Sequence, residues 1–288
     1  MDIIQLDQAI SDAERAALLF AGNLLVYRQR PAMLRMIEYT RELLADELSG
    51  LDPVTVQEHL SREDFLNRVG AVQTRFRTSE AAKLIFFDVL RECGVTTEQC
   101  YYDHFPLRVV PFDTTHNGAH RAAIGHHRDT WGSNVQSQQN WWAPVFSLDA
   151  ERTIAFYPDY WEKPLANNTA EWSFEAYMAT RKTAQPERGI AYPSAPQPTE
   201  TVDESGVVKV VIEPGDVLAF SSAHLHASVP NTTDAIRYSV EMRTIHQSDL
   251  AAGRMAPNVD NAATTPMYRW FRHVESRQSL SQSFSVES

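Results

Sequence analysis

The feature that most constrains this chain is a change of sequence period near residue 100. Before it, apolar residues recur at helical spacing behind recognisable start and stop signals. After it, the chain breaks into short β-branched and aromatic runs. Helices first and many short strands afterwards predict an α+β chain with a β core. Double-sheet jelly rolls and cupin barrels are solutions of that kind, and their mouths hold ligands.

The helical part is punctuated clearly. Ser11-Asp12-Ala13-Glu14 has the form of a capping box, and Leu24-Leu25-Val26-Tyr27 reads as a strand entering a sheet. Pro31 suits the first turn of a helix running to about Leu48, with Met33, Leu34, Ile37, Leu43 and Leu44 among its apolar positions. Pro53 and Ser61 each start a further helix. Ser79-Glu80-Ala81-Ala82 opens another, which Gly94 stops. These stripes predict packing against the outside of a sheet, and they carry no catalytic group.

Strands are expected at Leu107–Phe112, Gln136–Leu148, Thr153–Pro158, Val207–Ile212, Val217–Phe220 and Ile236–Ile245. A long polar segment at 161–205, rich in proline, reads as a lid or binding loop with one helix near Phe174 to Arg181. From Gln247 the chain is polar, and its last ten residues are expected to be loose. The whole is read as one domain, 1–288: a mainly helical part at 1–100, a β core at 101–246 and a C-terminal extension at 247–288.

Composition narrows the partners. Apolar residues make up 43 % of 288, enough for a core of ordinary size. A net charge of -11 argues against nucleic acid or an anionic membrane. No apolar run approaches the ~18–20 residues of a membrane span, and the start lacks a signal-peptide pattern. Cys93 and Cys100 lack metal-site spacing. The expectation is a cytoplasmic protein with reduced thiols, a monomer or homodimer, acting on a small molecule.

The chemistry sits in Gly125-His126-His127-Arg128-Asp129-Thr130-Trp131. On an extended segment, side chains two apart share a face, so His127 and Asp129 can reach one point. Much later, the turn Gly215-Asp216 leads into an apolar strand and then to His224 and His226. Two histidines and one carboxylate are the facial triad of non-haem Fe(II) sites, with coordination positions left open. His126 would point to the opposite face. His224 shares a strand face with His226, so spacing alone does not choose between them.

The combined pattern resembles the phytanoyl-CoA dioxygenase-like branch of the Fe(II)/2-oxoglutarate oxygenases: H-x-D, a G-D turn, an apolar strand, His226-Ala227-Ser228-Val229-Pro230-Asn231, and Arg237 eleven residues after the histidine. The resemblance covers roughly residues 100–245. It implies a double-stranded β-helix with the N-terminal helices packed outside. It also implies His127, Asp129 and His226 as metal ligands, with Fe(II), 2-oxoglutarate and O2 as cofactors. Arg237 falls where the family places the arginine that pairs with the far carboxylate of 2-oxoglutarate, a planar match of guanidinium and carboxylate. Ser239, on the same strand face, is a candidate hydroxyl donor. Asn134, Gln138 and Asn140 are further candidates for binding co-substrate or substrate. Trp131, Trp141 and Trp142 are candidate pocket walls or core residues, and Arg128 either reaches an anionic substrate or points away. His104, His116, His120, His246 and His273 are read as surface or hydrogen-bonded histidines, with His104 and His120 flanking the proposed core.

One departure bears on substrate. Where the family usually has a segment ending P-G-S-H, this chain has Ala155-Phe156-Tyr157-Pro158-Asp159-Tyr160-Trp161. A phytanoyl-CoA-like substrate is therefore not implied. With Asp129 present as a full carboxylate, hydroxylation, desaturation or demethylation is expected and halogenation is not. The alternatives are a cupin-like metal enzyme without 2-oxoglutarate, an isomerase or ring-cleaving dioxygenase, and a non-enzymatic jelly-roll binding module.

Overall fold

A computed structural model of the chain describes residues 1–113, 123–183 and 195–284. The expected loop at 114–118, with His116, and His120 lie outside these residues, as do Pro186 and Pro193.

The first hundred residues follow their start signals. Ser11, Ser61 and Ser79 each accept a hydrogen bond from the backbone N–H three residues on, at 3.3, 3.1 and 3.1 Å. They open α1 (Asp12–Phe20), α3 (Arg62–Thr78) and α4 (Glu80–Glu92). Pro31 is the first residue of α2 (Pro31–Glu47). Pro53 begins no α-helix; a single 3-10 turn at Val56–Glu58 follows instead. Two strands belong to this part. β2 (Leu24–Tyr27) was expected, and β1 (Ile3–Leu6) pairs with it in parallel. β1 is short and half exposed at a sheet edge, so its sequence carries little apolar signal.

The remaining strands are β3 (Cys100–Tyr102), β4 (Leu107–Val110), β5 (Gln139–Pro144), β6 (Ile154–Phe156), β7 (Val208–Val210), β8 (Val217–Ser221), β9 (His226–Ser228), β10 (Arg237–His246) and β11 (Arg272–His273). They make two sheets. The larger runs β1-β2-β8-β5-β10-β3-β11, with β4 also paired to β10. The smaller runs β7-β6-β9. Between β8 and its predecessor the chain turns at Gly215, whose φ is +101°. A side chain there would meet Leu34 at 2.8 Å, and only glycine adopts that backbone readily. Asp216 then accepts hydrogen bonds from the backbone N–H of Gln29 at 2.9 Å and of Glu213 at 3.2 Å, which ties β8 to the end of β2.

Strand alternation divides the larger sheet into two faces. Leu25, Tyr27, Trp141, Ala143, Ala219, Tyr238, Val240 and Met242 join the helices α1 to α4 in one buried cluster. The opposite face turns Leu24, Val26, Trp142, Leu218 and Phe220 onto Ile154, Phe156 and Val210 of the smaller sheet. The helices thus cover the outside of the sheet, as expected. The inside continues along β10 as Arg237, Ser239, Glu241 and Arg243. Its register sets Glu241 opposite Trp142 and Arg243 opposite Asn140.

The C-terminal extension packs against the rest of the chain, and of the last ten residues, expected to be loose, those up to 284 are described and carry a 3-10 segment. A short helix α7 (Gln247–Ala252) follows β10, β11 pairs with β3, and a 3-10 segment spans Leu280–Phe284. Phe271 and Leu280 are buried with Tyr101, Val135 and Ile245. The polar composition concealed this because a few apolar side chains carry the contact. Among the described residues, no helix is long and apolar enough to cross a membrane. Cys93 and Cys100 are buried free thiols. Phe271→Ala should therefore cost roughly 3–5 kcal/mol, read as a lowered denaturation midpoint. An unchanged midpoint would mean that the extension contributes nothing to the fold.

Candidate metal centre

His127 lies on no strand longer than one bridge. Its backbone N–H donates to the His226 carbonyl, and its own carbonyl accepts from the His226 N–H, both at 3.0 Å. Arg128 remains extended (φ -110°, ψ 134°), and Asp129 begins a short helix, α5 (Asp129–Ser133). The same-face relation of His127 and Asp129 thus rests on one bridge and one extended residue, with a helix taking over where a strand was expected to continue. His226 opens β9 on the other side of the bridge.

The three ligand atoms lie within 4.8 Å of one another. Asp129 is 4.0 Å from His127 Nε2 and 3.8 Å from His226 Nε2. Each imidazole is oriented from behind. Nδ1 of His127 lies 2.8 Å from the Gly125 carbonyl, and Nδ1 of His226 lies 3.0 Å from the His224 carbonyl. Carbonyls only accept, so each Nδ1 is the protonated nitrogen and each Nε2 lone pair faces the site. Burial, with His226 beside it, pushes the His127 imidazole down to about 4 against the opposing pull of Asp129. Burial alone would raise the Asp129 carboxyl, but Arg243, the two imidazoles and the Asn140 amide outweigh it and bring it down to about 2. The site therefore holds a neutral His127 and an ionised carboxylate, the forms that bind metal.

Asp129 is also held from outside. Asn140 Nδ2 donates to it, and Arg243 Nη1 approaches at 3.4 Å. Arg243 is itself anchored to the buried Asp103 at 2.5 Å. Asn140 in turn accepts from Ser222 Oγ at 2.5 Å and from Gln138 Nε2 at 3.2 Å. Arg243, Asp103 and Ser222 were not singled out from sequence. The only signal for Arg243 was its place two and six residues from Glu241 and Arg237 on one strand face.

The other candidates separate cleanly. His224 does not share a strand with His226. It lies in the turn before β9, buried, with its ring 4.4 Å from Trp161, and burial pushes it down to about 3. His126 turns away, 3.1 Å from Glu204 and edge-on to Tyr157. Arg128 borders the cavity, but its guanidinium is taken up by protein partners. It pairs with Asp260 at 3.0 Å and donates to the Ala223 and Tyr160 carbonyls at 2.6 Å each. Trp131 donates to the same Asp260 at 2.7 Å, so one carboxylate holds α5 from behind. Asn134 caps α5 in the left-handed region and pairs with Asn261 at 3.1 Å, away from the cavity. Gln138 is buried against Asn140, and of these three candidates Asn140 lines the cavity. Trp141 packs on the helix side, donating to Thr244 at 2.8 Å, whereas Trp142 lies between the sheets. His104 is half exposed beside Asp103, at 3.4 Å.

The triad opens into a cavity of about 830 Å³, lined also by Arg108, Asn140, Phe220, Arg237 and Glu241. Arg108 and Glu241 form a two-point pair at 2.5 and 2.7 Å. Arg237 has no such partner among the described residues. It is 2 % exposed, donates to the Thr153 carbonyl at 2.5 Å and to Ser228 Oγ at 3.0 Å, and its Nε is unsatisfied. Burial and the neighbouring Arg108 push it down to about 9. Ser239 Oγ, on the same strand face, is likewise buried without a hydrogen-bond partner among the described residues.

The chain resembles the phytanoyl-CoA dioxygenase family. The family's sequence model, Phytanoyl-CoA dioxygenase (PhyH), matches residues 160–239. The match includes His226, Arg237 and Ser239 and leaves His127 and Asp129 outside. No curated protein matches. Among solved structures, EvdO2 from Micromonospora carbonacea var. aurantiaca complexed with 2-oxoglutarate is 12 % identical at a TM-score of 0.44, covering 84 % of this chain and 94 % of that one. EctD from S. alaskensis with bound Fe is 14 % identical at 0.41, covering 88 % and 82 %. The epimerase SnoN in complex with Fe3+, alpha ketoglutarate and nogalamycin RO is 11 % identical at 0.42, covering 82 % and 85 %.

His226→Ala should abolish binding of Mn(II), titrated calorimetrically as a redox-stable probe. His224→Ala should leave most of it, since only the His224 backbone carbonyl touches the site. Loss of binding in the His224 variant, with its fold intact by circular dichroism, would reverse the assignment.

Proposed function

We propose that this chain is an Fe(II)- and 2-oxoglutarate-dependent oxygenase that oxidises a C–H bond of a small molecule. We read its two sheets as a double-stranded β-helix within a single domain. The observation that carries the reading is Arg237: a buried guanidinium without a carboxylate partner among the described residues, opening into the same cavity as two histidines and a carboxylate. A buried, uncompensated charge is costly unless something completes it. A dicarboxylate that chelates a metal with one end and meets Arg237 with the other does so. A metal enzyme without 2-oxoglutarate has no need of that cation.

His127, Asp129 and His226 fit Fe(II), because their donors converge, two nitrogens and one oxygen, with both histidine tautomers set. When bound, iron with 2-oxoglutarate and O2 supplies the oxidising power for the C–H bond. The chain's own residues do the rest. Asn140 and Arg243 keep Asp129 ionised and aimed, so its carboxylate would serve as a ligand to the iron where a halide would otherwise bind. Arg237 receives the distal carboxylate and Ser239 offers it a hydroxyl. Trp142, Ile154 and Phe220 make one side of the cavity apolar and keep water from the reacting atoms. The reaction expected is hydroxylation, desaturation or demethylation.

A charge-assisted pair of roughly 1.5–3 kcal/mol means that Arg237→Ala should weaken 2-oxoglutarate binding about tenfold to a hundredfold, measured with Mn(II) in the site. Unchanged affinity would return the reading to a metal enzyme that does not use it. The activity itself is tested by succinate release from 2-oxoglutarate in a metabolite extract, with mass spectrometry for a product that gains one oxygen or loses two hydrogens. A dominant halogenated product in high bromide would contradict the role given to Asp129.

A further inference from the structure

We propose that the wall of this cavity formed by α6 (Phe174–Thr183) and the C-terminal segment around Trp270 is a subsite for a flat, uncharged ring system, so that the substrate is a neutral aromatic or fused-ring molecule. The inference rests on the oxygenase reading for its reaction, but the ring subsite stands on its own observations.

The first is a concentration of half-buried aromatic surface. Trp172, Tyr177 and Trp270 are each partly exposed and all line the cavity, together with Met178. Scattered exposed apolar residues need no explanation, but several turned into one cavity mark a binding surface. Tyr177 and Met178 follow Phe174 at three and four residues, so the helix presents them on one side. The wall is also braced. The buried Phe174 meets Trp270 edge-on at 4.4 Å, Trp172 lies 5.6 Å from Tyr177, and Glu175 pairs with Arg269 at 2.5 Å. Rings fixed by one another lose little freedom when a further ring stacks on them.

The second is position. The Arg243 guanidinium lies 5.9 Å from the centre of the Trp270 ring and 3.4 Å from Asp129. A single side chain therefore separates the aromatic wall from the ligand carboxylate. A ring resting there lies one side chain away from Asp129. The cavity of about 830 Å³ lies high in the range of about 300–1,000 Å³ that encloses drug-sized ligands, with room beyond a five-carbon diacid.

The third is charge. Four arginines line the cavity. Arg108 is matched by Glu241, Arg128 by Asp260, and Arg243 by Asp103 and Asp129. Arg237 goes to 2-oxoglutarate in the reading above. No lysine lines the described wall. Among the described residues, no arginine or lysine of the wall is then left for a substrate carboxylate or for the phosphates of a coenzyme A thioester, and desolvating either without a partner is unfavourable.

The test uses the full chain with Mn(II) and 2-oxoglutarate, and follows protein fluorescence against three probes. These are 9-anthracenemethanol, anthracene-9-carboxylate (the same ring bearing a charge) and palmitoyl-CoA. The neutral ring should bind about tenfold tighter than either anion. Trp270→Ala and Tyr177→Ala should each weaken it about tenfold, Trp270→Phe should restore most of the loss, and 2-oxoglutarate affinity should not change. Absence of neutral-ring binding, preference for either anion, or indifference to both alanine variants would overturn the proposal. Ring binding that depends on Trp270 in a protein that fails to bind 2-oxoglutarate would keep the subsite and remove the oxygenase reading, so the two failures are distinguishable.

Discussion

The two backbone hydrogen bonds between His127 and His226 are the constraint on which the site depends. They join segments nearly a hundred residues apart in sequence and set both imidazoles on the same side of one bridge. A side-chain contact alone would leave each ring free to rotate. Here the backbone fixes the Cα positions, and the carbonyls of Gly125 and His224 fix the rings. Asp129 is added by the chain itself, two residues on, just as it leaves the extended conformation for a helix. Only then is rotation of the carboxylate limited by Asn140 and Arg243.

Around this point the protein is organised by charge matching in a dry interior. Arg108, Arg128 and Arg243 are each buried or half-buried, and each meets a carboxylate. Such pairs contribute little net stability, because desolvation offsets most of the attraction. Their effect is orientation: Arg128 and Asp260 hold α5, and Arg243 holds Asp129. Against that pattern Arg237 is the exception among the described arginines that line the cavity. It keeps two hydrogen bonds to neutral oxygens and no ion pair, which makes it the natural receptor for an anion from outside.

The larger sheet serves both sides of the molecule. Its outer face is apolar and merges with the four N-terminal helices, so burial there stabilises the frame. Its inner face changes character along β10, from the inter-sheet contacts of its neighbours to a row of arginine, serine, glutamate and arginine. A rigid strand with one face in the core and the other in the cavity keeps functional side chains in place without their having to stabilise anything. The aromatic wall differs. It comes from the long segment after β6 and from the extension after β10, regions whose polar composition hides the few aromatic residues that pack.

The sequence by itself determined the helices, through serine caps and a proline whose preferences act within one turn, and most of the strands, through alternation within a few residues. It also pointed to the candidate metal site, because H-x-D followed by a histidine and a suitably spaced arginine draws on local geometry and a family pattern. It did not determine β1, the docking of the C-terminal extension, or the start of a helix at Asp129, since each is decided by contacts with distant partners and not by the residues' own propensities. The same reason separates His226 from His224, Asn140 from Asn134 and Gln138, and Trp142 from Trp141. These residues are alike in type and neighbourhood along the chain. The turn before β9 sets His224 apart from His226, the end of α5 sets Asn134 apart from Asn140, and on β5 the alternation of side chains sends Trp141 to the helices and Trp142 between the sheets, because a shift of one residue in a strand reverses the side chain's direction.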